Sequence, residues 1–177
     1  MQARIAASVF ALCQVAAGPL AAQQGAIRAT SIEPLILFKD DRLASCGVRA
    51  VFGAPPASDV IDIVLRREDE TAQWIVSIKG PGRTSNAERL VDLGVKTATH
   101  DTRASFSKPV AVSPDAFEVR GTLAGLDGST FIQEIMVQGA TIGIVDAKGA
   151  AQNFAFAGPL PQTVRVNYLM CAGDLFH

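Results

Sequence analysis

From Cys46 to about residue 123, apolar and polar residues alternate in short runs, with Gly, Pro, Asp and Ser gathered between them. A period of two puts one set of side chains on each face of an extended chain, so this stretch reads as half-buried β-strands. Val48, Ala50 and Phe52 alternate with Arg49, and Val91, Leu93 and Val95 with Asp92 and Lys96. Val60 to Arg67 and Trp74 to Lys79 flank the polar Glu68-Asp69-Glu70-Thr71 and predict a hairpin. Phe117, Val119 and Leu123 alternate with Glu118, Arg120 and Thr122, the cleanest such pattern in the chain. Between the runs, Pro55-Pro56 mark a loop that no central strand could hold, and Ser113-Pro114-Asp115 a turn.

The period changes near the C-terminus. Phe131, Ile132, Ile135 and Met136 share one helical face over Thr130–Gln138. Thr130 suits the cap, Gln133 stands three residues on, and Gly139 suits the stop. A second hairpin is expected from Ile142–Val145 and Asn153–Phe156 around Asp146 to Gly149. Leu160, Val164, Tyr168 and Cys171 then recur at helical spacing behind Pro161, with Gly173 suiting the end. Residues 23–31 are small and polar and read as a loose arm, followed by the short apolar run Leu35-Ile36-Leu37-Phe38. The expected fold is mainly β, a β-rich α+β chain: an antiparallel sheet or sandwich with two helices near the C-terminus.

The N-terminus reads as a secretory signal peptide. Arg4 precedes the apolar run Ile5 to Val15, Gly18-Pro19 break it, and Ala21-Ala22 offer small residues for cleavage. Cleavage is expected after Ala22, with Ala17 as the alternative site. The apolar run is too short to span a bilayer, so no membrane span remains after cleavage. Residues 23–177 are then expected to form a single exported β-rich domain. Removal of the leader takes Cys13 and leaves Cys46 and Cys171. In an oxidising compartment an even pair reads as one disulfide, the alternative being two unrelated buried thiols.

The search for chemistry is short because histidines are scarce. There are 2, His100 and the terminal His177, and a metal site needs several ligands at suitable spacing, so no metal and no cofactor are expected. His100 and Asp101 are adjacent, but neighbours on an extended chain point opposite ways, and the pair reads as a solvated loop. No G-x-S-x-G elbow or C-x-x-C motif occurs. Gly80 to Ser85 lacks the lysine and spacing of a phosphate loop. Asp59, Asp62, Glu68, Asp69 and Glu70 gather near one hairpin but are partly neutralised by Arg66 and Arg67. Arg49, Arg66, Arg67, Arg83 and Arg89 form a basic patch only if strand pairing brings them together. Arg66, Arg67 and the lone Trp74 are the candidate binding residues, Trp74 having a core position as its alternative. A net charge of −1 gives nucleic acid no electrostatic hold.

One resemblance adds to this. Phe131 to Met136, Gly139, Thr141-Ile142-Gly143-Ile144, Gly149, Phe154 to Gly158 and a final helix follow in order. This arrangement resembles the end of the invasion associated locus B family, small exported proteins of Gram-negative bacteria linked to host-cell invasion. The resemblance implies an envelope protein with a β-rich fold and no enzyme activity. A small, exported, disulfide-bearing chain poor in histidine gives as the expected function a non-enzymatic envelope module that binds another envelope protein or a cell-wall component. The alternative is a small periplasmic hydrolase or thiol-dependent enzyme using His100 or Cys171.

Overall fold

The computed structural model describes residues 25–68, 71–81, 90–106, 110–113, 116–126, 128–146 and 149–175. The expected leader with Cys13, Arg83 and Arg89, Asp69 and Glu70, Pro114 and Asp115 of the expected turn, and His177 lie outside the described residues. The elements run β1 (Ile27–Lys39), β2 (Arg42–Phe52), β3 (Asp59–Glu68), β4 (Thr71–Pro81), β5 (Leu90–Lys96), β6 (Asp101–Phe106), β7 (Val110–Ser113) and β8 (Ala116–Leu123). Then follow α1 (Gly128–Gln138), β9 (Gly139–Asp146), β10 (Ala151–Ala157) and α2 (Gln162–Leu175).

Alternation sets the register of the first four strands. Val48, Ala50 and Phe52 face Ile63, Ile61 and Asp59 across the β2–β3 ladder, and Ile61, Ile63 and Leu65 face Ile78, Val76 and Trp74 across β3–β4. Slipping either ladder by one residue would turn these apolar sets to solvent, so one register dominates. The β1–β2 hairpin turns on Asp40 and Asp41, both at positive φ (51° and 59°), the conformation of a two-residue turn matched to strand twist.

The sheet does not stay open. Its order is β1-β2-β3-β4-β8-β6-β5-β9-β10, and β10 returns to β1, so nine strands close into a barrel. This corrects the open sheet or sandwich expected from the sequence. Two long-range pairings cause it. β4 lies antiparallel to β8 from Trp74↔Leu123 to Pro81↔Ala116, and β1 meets β10 in a short parallel seam at Ile27↔Phe154 and Arg28↔Ala155. Closure pairs β4 along its length with β8, while the β1–β10 seam spans only two residues of β1. β7 joins β8 beside β6.

The barrel is filled. Inward residues of the strands and both helices share one core, including Cys46, Phe52, Val76, Leu93, Ile142 and Phe154, each under 2% exposed. Trp74 packs edge-on to Phe131 of α1 at 5.1 Å, and Phe52 on Phe154 at 5.0 Å. Val164, Tyr168, Cys171 and Leu175 turn the buried stripe of α2 into the same core. Cys46 and Cys171 form a disulfide with Cα atoms 5.8 Å apart, which fastens α2 to β2.

A smaller buried cluster, Leu35, Val64 and Ile75, lies on the other face of the sheet. Gly47 sits between Leu35 and Val64 in register, where a Cβ would come 2.1 Å from the Ile63 carbonyl oxygen. Beside this row, Asp62 accepts from Arg49 Nε at 2.7 Å and from Lys79 Nζ at 3.2 Å.

Three local expectations are corrected. Residues 27–31 are strand, because β2 and β10 supply the hydrogen bonds that their composition does not demand. α1 starts at Gly128, so Thr130 is inside the helix and is not its cap. α2 passes through Gly173 to Leu175, whose side chain is 1% exposed and whose carbonyl oxygen accepts from Arg67 at 3.1 Å. That burial and that cation at the helix end outweigh one glycine.

Candidate functional site

Glu134 stands on the same face of α1 as Phe131 and Ile135, an acid in an apolar stripe. Its carboxylate turns toward the β5–β6 connection, residues 97–100. The Thr97 and Thr99 hydroxyls donate to its two oxygens, and the Thr99 N–H donates to Oε2 at 3.2 Å. His100 Nδ1 lies 3.1 Å from the same oxygen, and its ring packs edge-on to Phe131. The turn closes on itself, with Thr97 N–H donating to the His100 carbonyl oxygen at 2.8 Å and His100 N–H to the Thr97 hydroxyl oxygen at 3.1 Å.

The hydrogen bonds from Thr97, then Thr99, hold the Glu134 carboxyl down at about 2, against the opposing effect of burial. His100 and the Thr99 N–H help. A carboxylate with so many donors is fixed as an anion and is a poor general acid or base near neutrality. The cluster therefore acts first as a clamp, tying the β5–β6 turn to α1.

The clamp shapes a cleft. Lys96, Thr97 and Ala98 form one wall of a concavity of about 810 Å3 at the β1–β10 seam. Arg28 reaches it from β1, and Gln138, Thr141, the apolar Ile32 and Phe156 and several Ala and Gly residues complete it. Gly139, at the α1–β9 junction, has φ +84°, and a Cβ there would lie 2.1 Å from the Phe156 carbonyl oxygen. Only glycine lets the helix turn into β9 this close to β10. Lys96 pairs with Asp101 at 3.5 Å, but both side chains are well exposed, so the pair is weak and open to competition.

The sequence-derived candidates fall as follows. Trp74 is 3% exposed and belongs to the core. Arg66 and Arg67 point to opposite faces of β3 by strand alternation. Arg67 lines a second cleft, of about 820 Å3, with Lys39, Asp40, Arg42 and Asp174. Arg49 is set against Asp62, whose hydrogen bond raises the Arg49 pKa, so it does not join Arg67 in one patch. His100 and Asp101 do not pair: His100 is half-buried against Glu134, and Asp101 turns to Lys96. His100 is thus not the solvated residue expected. Cys171 is bonded to Cys46 and has no free thiol. Among the described residues, no group of three or more His, Cys, Asp or Glu could hold a metal ion.

Sequence reasoning missed Glu134, Thr97, Thr99 and Arg28. The one signal available was the acid within the apolar stripe of α1, since Glu is rarely buried without partners. Comparison with protein-family models, with curated proteins and with solved structures gives no match. No helix among the described residues is long and apolar enough to cross a membrane. The intramolecular disulfide is compatible with an oxidising, exported location.

Proposed function

We propose that the chain is an exported envelope protein that works by binding. The seam cleft takes an anionic group of an envelope protein or cell-wall component. The observation that carries this reading is the placing of Arg28 and Lys96 around one concavity, with Thr97, Gln138 and Thr141 beside them. Concave walls with a few convergent polar groups are the usual form of a binding site. Two cations of one sign in such a cleft favour a carboxylate or phosphate. The filled barrel agrees, since its interior is occupied by side chains of both helices. The resemblance of the C-terminal third to the invasion associated locus B family points to the same compartment and the same non-enzymatic class.

The test is an NMR titration with a soluble muropeptide, which carries several carboxylates. Shifts should gather at Arg28, Lys96 to Ala98 and Gln138 to Thr141, and Arg28→Glu should abolish them. Arg120→Ala, outside the cleft lining, should leave binding in place. Absence of shifts, or shifts that survive Arg28→Glu, would remove the cleft from the account.

One contact favours a second reading. The carboxylate–imidazole pair of Glu134 and His100 at 3.1 Å has the form of an orienter and a base in a hydrolase. Among the described residues, no serine, threonine or cysteine side chain is hydrogen-bonded to His100 Nε2. Ester or amide hydrolysis that disappears in His100→Ala would favour this reading over binding.

A further inference from the structure

Among the described residues, β1 keeps one long edge unpaired. β1 pairs with β2 from Ala29 to Lys39, but it meets β10 only at Ile27 and Arg28, and beyond these no described strand pairs with its other edge. The disulfide places α2 against the core side of this hairpin, because Cys46 is an inward residue paired with Ile36. Along the open edge, Ile36, Leu37 and Phe38 are 38%, 39% and 68% exposed. A long apolar edge of this kind is a template for another strand. Pro34 is the edge's only proline; its nitrogen faces away from β2 and has no N–H to give this edge, so each Pro34–Phe38 pair of the ladder below carries one hydrogen bond and not two.

We propose that β1 pairs antiparallel with β1 of a second copy of this chain, with the two-fold axis at Ile36. In that register Glu33 faces Lys39 of the other copy, at both ends of the ladder. Leu35 faces Leu37, Ile36 faces itself, and Pro34 faces Phe38. Glu33, Leu35, Leu37 and Lys39 share one face by strand alternation, so this face becomes four leucines flanked by two ion pairs. Leu35 already belongs to the outer cluster with Val64 and Ile75, and the added leucines extend that row across the axis. Moving the axis by one residue toward the turn would set Glu33 opposite Asp41, and moving it the other way would set Glu33 opposite Leu37. Charge therefore selects the register. An isologous contact of this kind closes on itself and stops at a dimer. It goes beyond the cleft reading and does not depend on it.

Sedimentation equilibrium on the protein in the form the cell keeps tests this directly. A dimer is expected. Lys39→Glu or Glu33→Lys alone should weaken it by about tenfold or more, because two attractions become two repulsions. The double variant Glu33→Lys/Lys39→Glu should restore it, and high salt should blunt all three effects. Thermal melts verify that each variant folds, as both residues are exposed. A monomer at every concentration would overturn the proposal. So would a dimer indifferent to the single reversals, or one that the double variant does not rescue.

Discussion

The Cys46–Cys171 bridge closes a loop with a sequence separation of 125, most of the described chain. Linking such distant residues removes a large part of the freedom of the unfolded chain. The loop-entropy relation gives about 5 kcal/mol at 25 °C for a loop of this length. That is a third or more of the roughly 5–15 kcal/mol that holds a typical domain folded. For a domain of this size it corresponds to about 10–20 °C in melting temperature. The perturbation is Cys46→Ala/Cys171→Ala, compared with wild type in oxidising and reducing buffer. Circular dichroism against temperature and against urea gives the midpoint and the slope. If the effect lies in the unfolded state, the linked chain unfolds to a more compact ensemble, and its urea slope is lower than that of the double variant. Reduced wild type should behave like the double variant. A midpoint that falls by only a few degrees, with the slope unchanged, would refute the reasoning and assign the bridge a purely local role.

The clamp and the junction beside it give two further outcomes. Because the Glu134 carboxyl is held at about 2, below its ordinary value, its stabilising contribution is complete above that ordinary value and fades as pH falls toward 2. Glu134→Gln should melt lower than wild type near neutrality and lose stability less steeply over that acid window; equal acid slopes in the two proteins would contradict the clamp. Gly139→Ala should cost about 1–3 kcal/mol in urea denaturation, since it forces a side chain into positive φ and against the Phe156 carbonyl; a neutral result would mean that the α1–β9 junction is not as tight as described.

Much of the strand content was legible in the sequence because alternation is a local signal. Val48, Ala50 and Phe52, or Phe117, Val119 and Leu123, announce one buried face wherever their partners lie. Closure was not legible. A sandwich and a barrel impose the same alternation, and the two differ here by the pairings of β4 with β8 and of Ile27 with Phe154, which no local pattern encodes. The start of β1 was hidden for a related reason. Ala29, Thr30 and Ser31 have little apolar bulk, and their neighbours make them strand. The disulfide was legible because an exported reading leaves an even pair of cysteines, and helical spacing put Cys171 on the inward stripe of Val164 and Tyr168. The Glu134 cluster was not. Its members are 34 to 37 residues apart, and the turn of residues 97–100 shows its purpose only once α1 is laid against it.

The proposed function requires a chain that is exported, relieved of residues 1–22 and closed by one bridge before it binds anything. Intact mass of the protein recovered from the periplasm of an expressing Gram-negative cell, alkylated with and without prior reduction, tests this most directly. The account predicts loss of residues 1–22, with two thiols alkylated after reduction and none before it. A full-length chain, or cysteines that alkylate without reduction, would contradict it and return Cys171 to the list of groups able to do chemistry.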